Sequence, residues 1–455
     1  MIRRAVLNVV GLSMRDLSSG VMPRLMKRAG VGSVAAIRPA FPAVTCTAQS
    51  NYLTGQLPAV HGIVGNGWYD RALSEVQFWK QSNRLVEAPK VWDVIHQRRP
   101  GAKVANLFWW YNMGTQADLA VTPRPIYQAD GGKIFDIASY PQRLKPALKS
   151  VLGEFPFHTF WGPRAGIAAT QWIADAARWM EKHEKPDLNL VYLPHLDYDL
   201  QRFGPNDPRS DEARRQMDEL VCDLAEELEA AGVEVIILSE YAITEVERPV
   251  ALNRIFREQG WLEIKEEAGA EILDTMNSKV FAVVDHQIAH IVVQDEQLLS
   301  KVKALLEQTA GVGQVLDRND QEKAGIQHAR SGDLVAVADV RSWFSYYWWN
   351  DDAKAPDYAR TVDIHRKPGY DPAELFIDPA IKWPALKVAW FLLKKRLGLR
   401  ALLQLTPLSG EQVSGSHGRV PEDSRDWPVL IAGAKTILPL QISSQDVAAF
   451  LVAAL

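Results

Sequence analysis

Short apolar runs, rich in β-branched residues and closed by turn residues, recur along the chain at 5–12, 103–109, 188–193, 233–238, 279–284, 290–293, 334–338 and 429–432. Amphipathic helical patterns alternate with many of them. The clearest covers 208–231, where Met217, Leu220, Leu224 and Leu228 fall on one face at helical spacing. Asp207 suits its N-cap, Pro208 its first position and Gly232 its stop. Strands alternating with helices predict an α/β fold, a central mostly parallel sheet with helices on both faces. In such folds ligands bind at the carboxyl ends of the strands, so the residues following each strand carry the functional expectation. Residues 243–410 are less regular and hold the aromatic run Trp343-Phe344-Ser345-Tyr346-Tyr347-Trp348-Trp349. They are expected to form an inserted cap on a core made of 1–242 and 411–455.

Composition changes this picture little. The 455 residues are 47% apolar and 23% charged, which excludes a disordered chain. The net charge of −4 argues against a nucleic-acid partner. Two cysteines, Cys46 and Cys222, exclude a disulfide framework and a thiolate-rich zinc site. The apolar start breaks at Asn8 and Gly11, too early for a signal-peptide core, and no stretch approaches the roughly 18 apolar residues that span a bilayer. A soluble, cytoplasmic protein is expected.

The chemistry lies after the first strand. There Pro39-Ala40-Phe41-Pro42-Ala43-Val44-Thr45-Cys46-Thr47 is followed by Leu53-Thr54-Gly55 and by Pro58-Ala59-Val60-His61-Gly62-Ile63-Val64-Gly65-Asn66. This succession resembles the nucleotide pyrophosphatase/phosphodiesterase family of the alkaline phosphatase superfamily. Blocks at 192–205, 238–241 and 415–418 extend the resemblance in the family's order. It implies an alkaline-phosphatase-like fold and a threonine nucleophile at a helix N-terminus, Thr45. It also implies an asparagine that donates to a phosphoryl oxygen, Asn66, and a pair of divalent metal ions, commonly zinc. Metal coordination would answer a physical need, because a free alkoxide is too basic to exist at neutral pH. The bland alternative for Thr45 is a helix cap. His61 and Thr54-Gly55 suit turn and packing roles.

The metal ligands depart from the family's pattern. The Asp-Gly pair that ends the family's first strand is matched by Val10-Gly11, with Asn8 two residues back on the same strand face. The second block keeps Asp197 but places Gln201 where a histidine belongs, and the third reads Ser239-Glu240-Tyr241-Ala242 in place of Ser-Asp-His-Gly. Glu240 keeps a carboxylate; Tyr241 is not a usual ligand. The last block, Gly415-Ser416-His417-Gly418, keeps its histidine. Gln is a poor zinc ligand. One metal, a rebuilt site and no catalysis all remain open. The ion expected is zinc, by the family's habit, with manganese or magnesium as the alternatives.

For a rebuilt site, Asp363 and His365 would share a face if their stretch is extended, and Arg366 and Lys367 could meet a phosphate. His195 and Asp199 flank Asp197. His286 and His290 share a face at their spacing, as metal ligands or as structural histidines of a cap hairpin. Phe108-Trp109-Trp110-Tyr111 and the 343–349 run suit either a substrate-stacking rim or core packing. Between Pro379 and Gly410 six basic residues, Lys394, Lys395 and Arg396 among them, accompany an apolar stripe and no acid. That pattern fits a helix touching anionic lipid or an ordinary solvated face.

Two functions follow. The first is a metal-dependent phosphoesterase acting on a small phosphorylated substrate, a phosphodiester or pyrophosphate, through Thr45. The second is a catalytically impaired relative that binds a small molecule or a membrane surface. The sequence leaves the oligomeric state open.

Overall fold

The computed structural model describes residues 2–129 and 132–453. Nine strands build the central sheet, in the order Gln441–Ser443, Ser33–Arg38, Val429–Ala432, Val233–Leu238, Arg3–Val9, Leu188–Leu193, Val104–Leu107, Leu119–Pro123 and Ile137–Tyr140. Every neighbouring pair from Val233–Leu238 to Leu119–Pro123 is parallel. Val429–Ala432 runs against both its neighbours, and Ile137–Tyr140 closes its edge antiparallel. All six residues of Leu188–Leu193 are buried, as are all four of Val104–Leu107. Burial without alternation means that both faces of the sheet are covered. The helices Ile167–His183 and Ser210–Ala230 pack on the strands Leu188–Leu193 and Val233–Leu238. The fold is the mostly parallel α/β architecture that the alternation predicts.

Local details differ. The first strand ends at Val9 rather than Leu12, because Gly11 turns the chain at φ +87°. The long helix starts at Ser210, two residues after Pro208. Asp207 does not cap it; its carboxylate bonds the Arg209 N–H at 2.8 Å and pairs with the Arg209 guanidinium at 2.8 Å. The sheet also takes in Ser33–Arg38, Leu119–Pro123, Ile137–Tyr140 and Gln441–Ser443, which are short or mixed in polarity and carry no clear strand signal.

Among the described residues, 243–410 contributes no strand to this sheet. It folds around its own antiparallel sheet, in the order Val280–Asp285, Ile288–Val293, Leu334–Ala338 and Val312–Leu316. Trp343, Phe344, Tyr346, Trp348 and Trp349 are buried there, with the Trp348 indole N–H on the Glu271 carbonyl at 2.9 Å. Phe108, Trp109 and Tyr111 are buried as well. Both aromatic runs are therefore packing.

Candidate active site

Four chain segments converge at the carboxyl end of the sheet. The strand Ser33–Arg38 leads to the helix Thr45–Thr54, whose N-cap is Val44 with no side-chain capping bond. Thr45 is thus the first helical residue and its hydroxyl is not spent on the cap. The strand Leu188–Leu193 leads into the helix His195–Phe203, where Asp197 and Gln201 sit one turn apart. Glu240 and Tyr241 follow the strand Val233–Leu238. The loop carrying His417 is tied to the start of the Thr45 helix by the Ala43 N–H on the Gly418 carbonyl at 2.8 Å. It approaches so closely that a Cβ at Gly415 would collide with the Leu200 carbonyl of the Asp197 helix.

Tyr241 links these parts. Its hydroxyl lies 3.3 Å from Thr45 Oγ1 and donates to Asp197 Oδ1 at 3.2 Å. Its ring lies flat on the His417 imidazole, centroids 3.6 Å apart at 8°. Asp197 Oδ2 accepts from Gln201 Nε2 at 2.8 Å, and Gln201 Oε1 accepts from the Tyr370 hydroxyl at 2.7 Å. Glu240 Oε1 accepts from Asn8 Nδ2 at 2.6 Å and from the Gln49 amide. Asn66 Oδ1 accepts the Cys46 N–H at 3.0 Å, while Asn66 Nδ2 donates to Asp285 Oδ1 at 3.0 Å. The amide expected to face a phosphoryl group is therefore engaged on both sides, fixing the start of the Thr45 helix.

Asp285 and His286 come from the tip of a cap hairpin. His286 Nδ1 bonds Asp285 Oδ1 at 2.7 Å, and its ring stacks on Tyr370 and His417, centroids 3.4 and 3.8 Å away. His290 stays structural, between the Val64 carbonyl and the Gly332 N–H. His61 likewise bonds Asn51 at 2.8 Å and accepts the Ile63 N–H. His195 bonds Gln216 at 2.8 Å, and Asp199 pairs with Arg202.

All of the central groups are buried, and burial sets their protonation. It pushes Asp197 up to about 7, Glu240 up to about 8 and Asp285 up to about 6. It holds the His286 and His417 imidazoles well below their ordinary range, hence neutral. Glu240 Oε2 and His417 Nε2 are buried with no hydrogen-bond partner among the described residues. Such atoms are open to a ligand or a proton.

The type I phosphodiesterase / nucleotide pyrophosphatase family model matches residues 5–371. The chain belongs to this family. A Schizosaccharomyces pombe protein described as an uncharacterized pyrophosphatase/phosphodiesterase is 23% identical over 268 residues, covering 57% of this chain and 46% of that protein. The chain thus matches under half the length of that relative. Sinorhizobium meliloti phosphonoacetate hydrolase, solved with phosphonoformate, superposes with TM-score 0.63 at 15% identity, covering 100% of this chain and 95% of that one. Murine ectonucleotide pyrophosphatase/phosphodiesterase 5, an inactive form with AMP, superposes with TM-score 0.58 at 14% identity, covering 99% and 94%. Both share the alkaline-phosphatase-like fold.

Against the family's two-metal expectation, the donor set in this chain does not fit. Asp197 and His417 stand unaltered at positions where the resemblance expects ligands, and the Tyr241 phenol bridges them, ring on imidazole and hydroxyl on carboxylate. Gln201 presents its nitrogen, not its oxygen, to Asp197. No group of three or more His, Cys, Asp or Glu side chains among the described residues could hold a metal ion. The alternative cluster fails for a local reason. Residues 364–366 form a turn, so Asp363 and His365 do not share an extended face. Asp363 instead pairs with Lys133 at 3.3 Å and with Arg366 at 3.3 Å, and His365 is exposed. Lys367, expected to meet a phosphate, is buried between Asp371 at 2.6 Å and Glu374 at 2.7 Å.

Glu240 supplies a stability test. Its carboxyl binds a proton more tightly folded than unfolded, so its contribution is fully present below the unfolded value near 4.5 and is lost as pH rises through about 8. In EDTA, the urea midpoint should fall from pH 5 to pH 9, with a loss from this group on the order of 4 kcal/mol. Glu240→Gln should flatten that fall; equal slopes in both proteins would refute the assignment.

Proposed function

We propose that the chain hydrolyses a phosphodiester or pyrophosphate, with Thr45 as the nucleophile and without a metal centre of the family's kind. The observation that carries this is the continuous chain of hydrogen bonds from Thr45 Oγ1 through the Tyr241 hydroxyl to Asp197 Oδ1, at 3.3 and 3.2 Å. As Thr45 Oγ1 attacks, the new O–P bond forms and the bond to the leaving oxygen breaks. The threonine proton passes to Tyr241 while the Tyr241 proton passes to Asp197. Glu240, held neutral by burial beside Thr45, can donate to a phosphoryl oxygen, while the leaving oxygen departs on the far side and takes a proton from water. A second water then attacks the phosphothreonine and gives its proton to the hydroxide left by the first. The proton on Asp197 travels back through Tyr241 to Thr45. The N-terminal amides of the Thr45 helix favour the charge that gathers on the phosphoryl oxygens.

Bis-p-nitrophenyl phosphate and a nucleoside diphosphate ester, each assayed in EDTA and with zinc, manganese or magnesium, test this. Turnover is expected to persist in EDTA. Tyr241→Phe should lower kcat about 10- to 100-fold with KM little changed. Turnover that requires a divalent ion and is indifferent to Tyr241→Phe would overturn the relay. Silence under every condition would leave the site a binding pocket.

A further inference from the structure

The segment 379–404 stands out from the cap. Its base is closed by the Asp378 N–H on the Leu405 carbonyl at 2.7 Å and by the Leu405 N–H on the Arg360 carbonyl at 2.9 Å. Beyond that base lies the helix Pro384–Arg396, which has no buried residue. Pro384, Val388 and Phe391 are partly covered and share one side of it. The opposite side carries Leu386, Trp390, Leu393 and, one residue past its end, Leu397, which are 68%, 57%, 45% and 65% exposed. Trp383, just before the helix, is 74% exposed.

A soluble surface rarely keeps so continuous an apolar stripe turned to water. Its flanks indicate what covers it. Lys387 and Lys394 border the stripe on one side and Arg396 on the other, with Lys382, Lys395 and Arg400 nearby. None of these six forms an ion pair among the described residues, and the stretch from Pro379 to Gly410 holds no acid. Lys394 instead lies over the Trp390 ring at 5.5 Å. A protein partner burying the stripe would have to answer this unpaired charge at every flank. An anionic bilayer does so everywhere at once, with tryptophan at the headgroup level and lysine stems reaching outward. The 13-residue helix is too short to span, and no helix among the described residues is long and apolar enough to cross a membrane.

We infer that the helix Pro384–Arg396 docks this protein on an anionic lipid surface, lying in the interface with Leu386, Trp390, Leu393 and Leu397 inserted. The helix follows closely on the 370–375 segment, whose Tyr370 bonds Gln201 beside Asp197.

Sedimentation of the full chain with phosphatidylcholine vesicles containing phosphatidylglycerol, and with phosphatidylcholine alone, tests this. Binding is expected to the anionic vesicles and to fall as salt rises. Lys394→Glu/Lys395→Glu/Arg396→Glu should reduce the partition coefficient at least about 100-fold. Leu386→Asp/Trp390→Asp should abolish binding. Because the helix makes no buried contact, both variants should melt like the wild type. No binding by the wild type, or binding undiminished in the triple variant, would overturn the assignment. So would a dimer in light scattering that Leu386→Asp/Trp390→Asp converts to monomer without any vesicle binding, since a second copy would then cover the stripe.

Discussion

Thr45→Ala is expected to lower turnover of bis-p-nitrophenyl phosphate at least about 10³-fold, because it removes the atom proposed to form the bond to phosphorus. The fold should hardly register the change. Thr45 caps nothing, and its hydroxyl lies 3.3 Å from Tyr241, with Glu240 and Tyr192 also within its reach. Stability should move by less than about 1 kcal/mol. Thr45→Ser keeps the hydroxyl and the contact to Tyr241, so it should retain a measurable fraction of the rate. Steady-state kinetics of the two variants beside their urea midpoints separate a lost nucleophile from a damaged fold. Full turnover in Thr45→Ala would exclude Thr45 as the nucleophile and leave the polar network without a reacting oxygen from the protein.

Lys367→Met is expected to cost about 3–5 kcal/mol of stability at neutral pH. The ammonium and its two partners have side chains 1%, 2% and 0% exposed. Burial alone would lower the Lys367 value, but Asp371 and Glu374 more than offset it and hold the charge firmly on the lysine. Methionine fills the same volume and leaves both carboxylates buried without a cation. Glu374 also receives the Trp161 indole N–H at 2.6 Å and the Asp363 N–H at 2.9 Å, so its repulsion from Asp371 would loosen the segment that carries Tyr370. The penalty should shrink at pH 5, because burial already pushes the Glu374 carboxyl up and without the lysine it takes up a proton, and adding Glu374→Gln should restore part of the lost stability. Urea denaturation of the three proteins at the two pH values measures this. A loss of under about 1 kcal/mol in Lys367→Met would show that the pair is not held dry.

The site also explains why one altered ligand position matters more than the others. Gln201 and Glu240 could each have kept a polar oxygen toward a cation. Tyr241 could not, because its ring covers His417 and its hydroxyl takes Asp197. A phenol at that position joins Thr45, Asp197 and His417 through its hydroxyl and ring, where the family's pattern has a histidine. Asn8, Gln49 and Gln201 match that change by supplying amide donors to Glu240 and Asp197.

The sequence by itself determined the parallel α/β sheet, the positions of its inner strands and the residues at their carboxyl ends. Leu188–Leu193 and Val233–Leu238 were legible because a strand covered on both faces needs a mostly apolar run, and that signal is local. Thr45, Asp197, Glu240 and His417 were legible because strand ends and helix starts carry recognisable residue successions. Which of these side chains satisfy one another was decided only by the tertiary structure. Asp285 and His286 reach the site from a hairpin more than 200 residues beyond Thr45, and Tyr370 from further still. Lys367 looks like a phosphate ligand in a polar stretch, yet folding seals it between two carboxylates. Periodicity reports which face of an element is buried and says nothing of what that face meets. The partners of a buried polar group are set by chain closure over long separations, and in this protein the burial that comes with that closure sets the protonation of the site, against the pull of those partners.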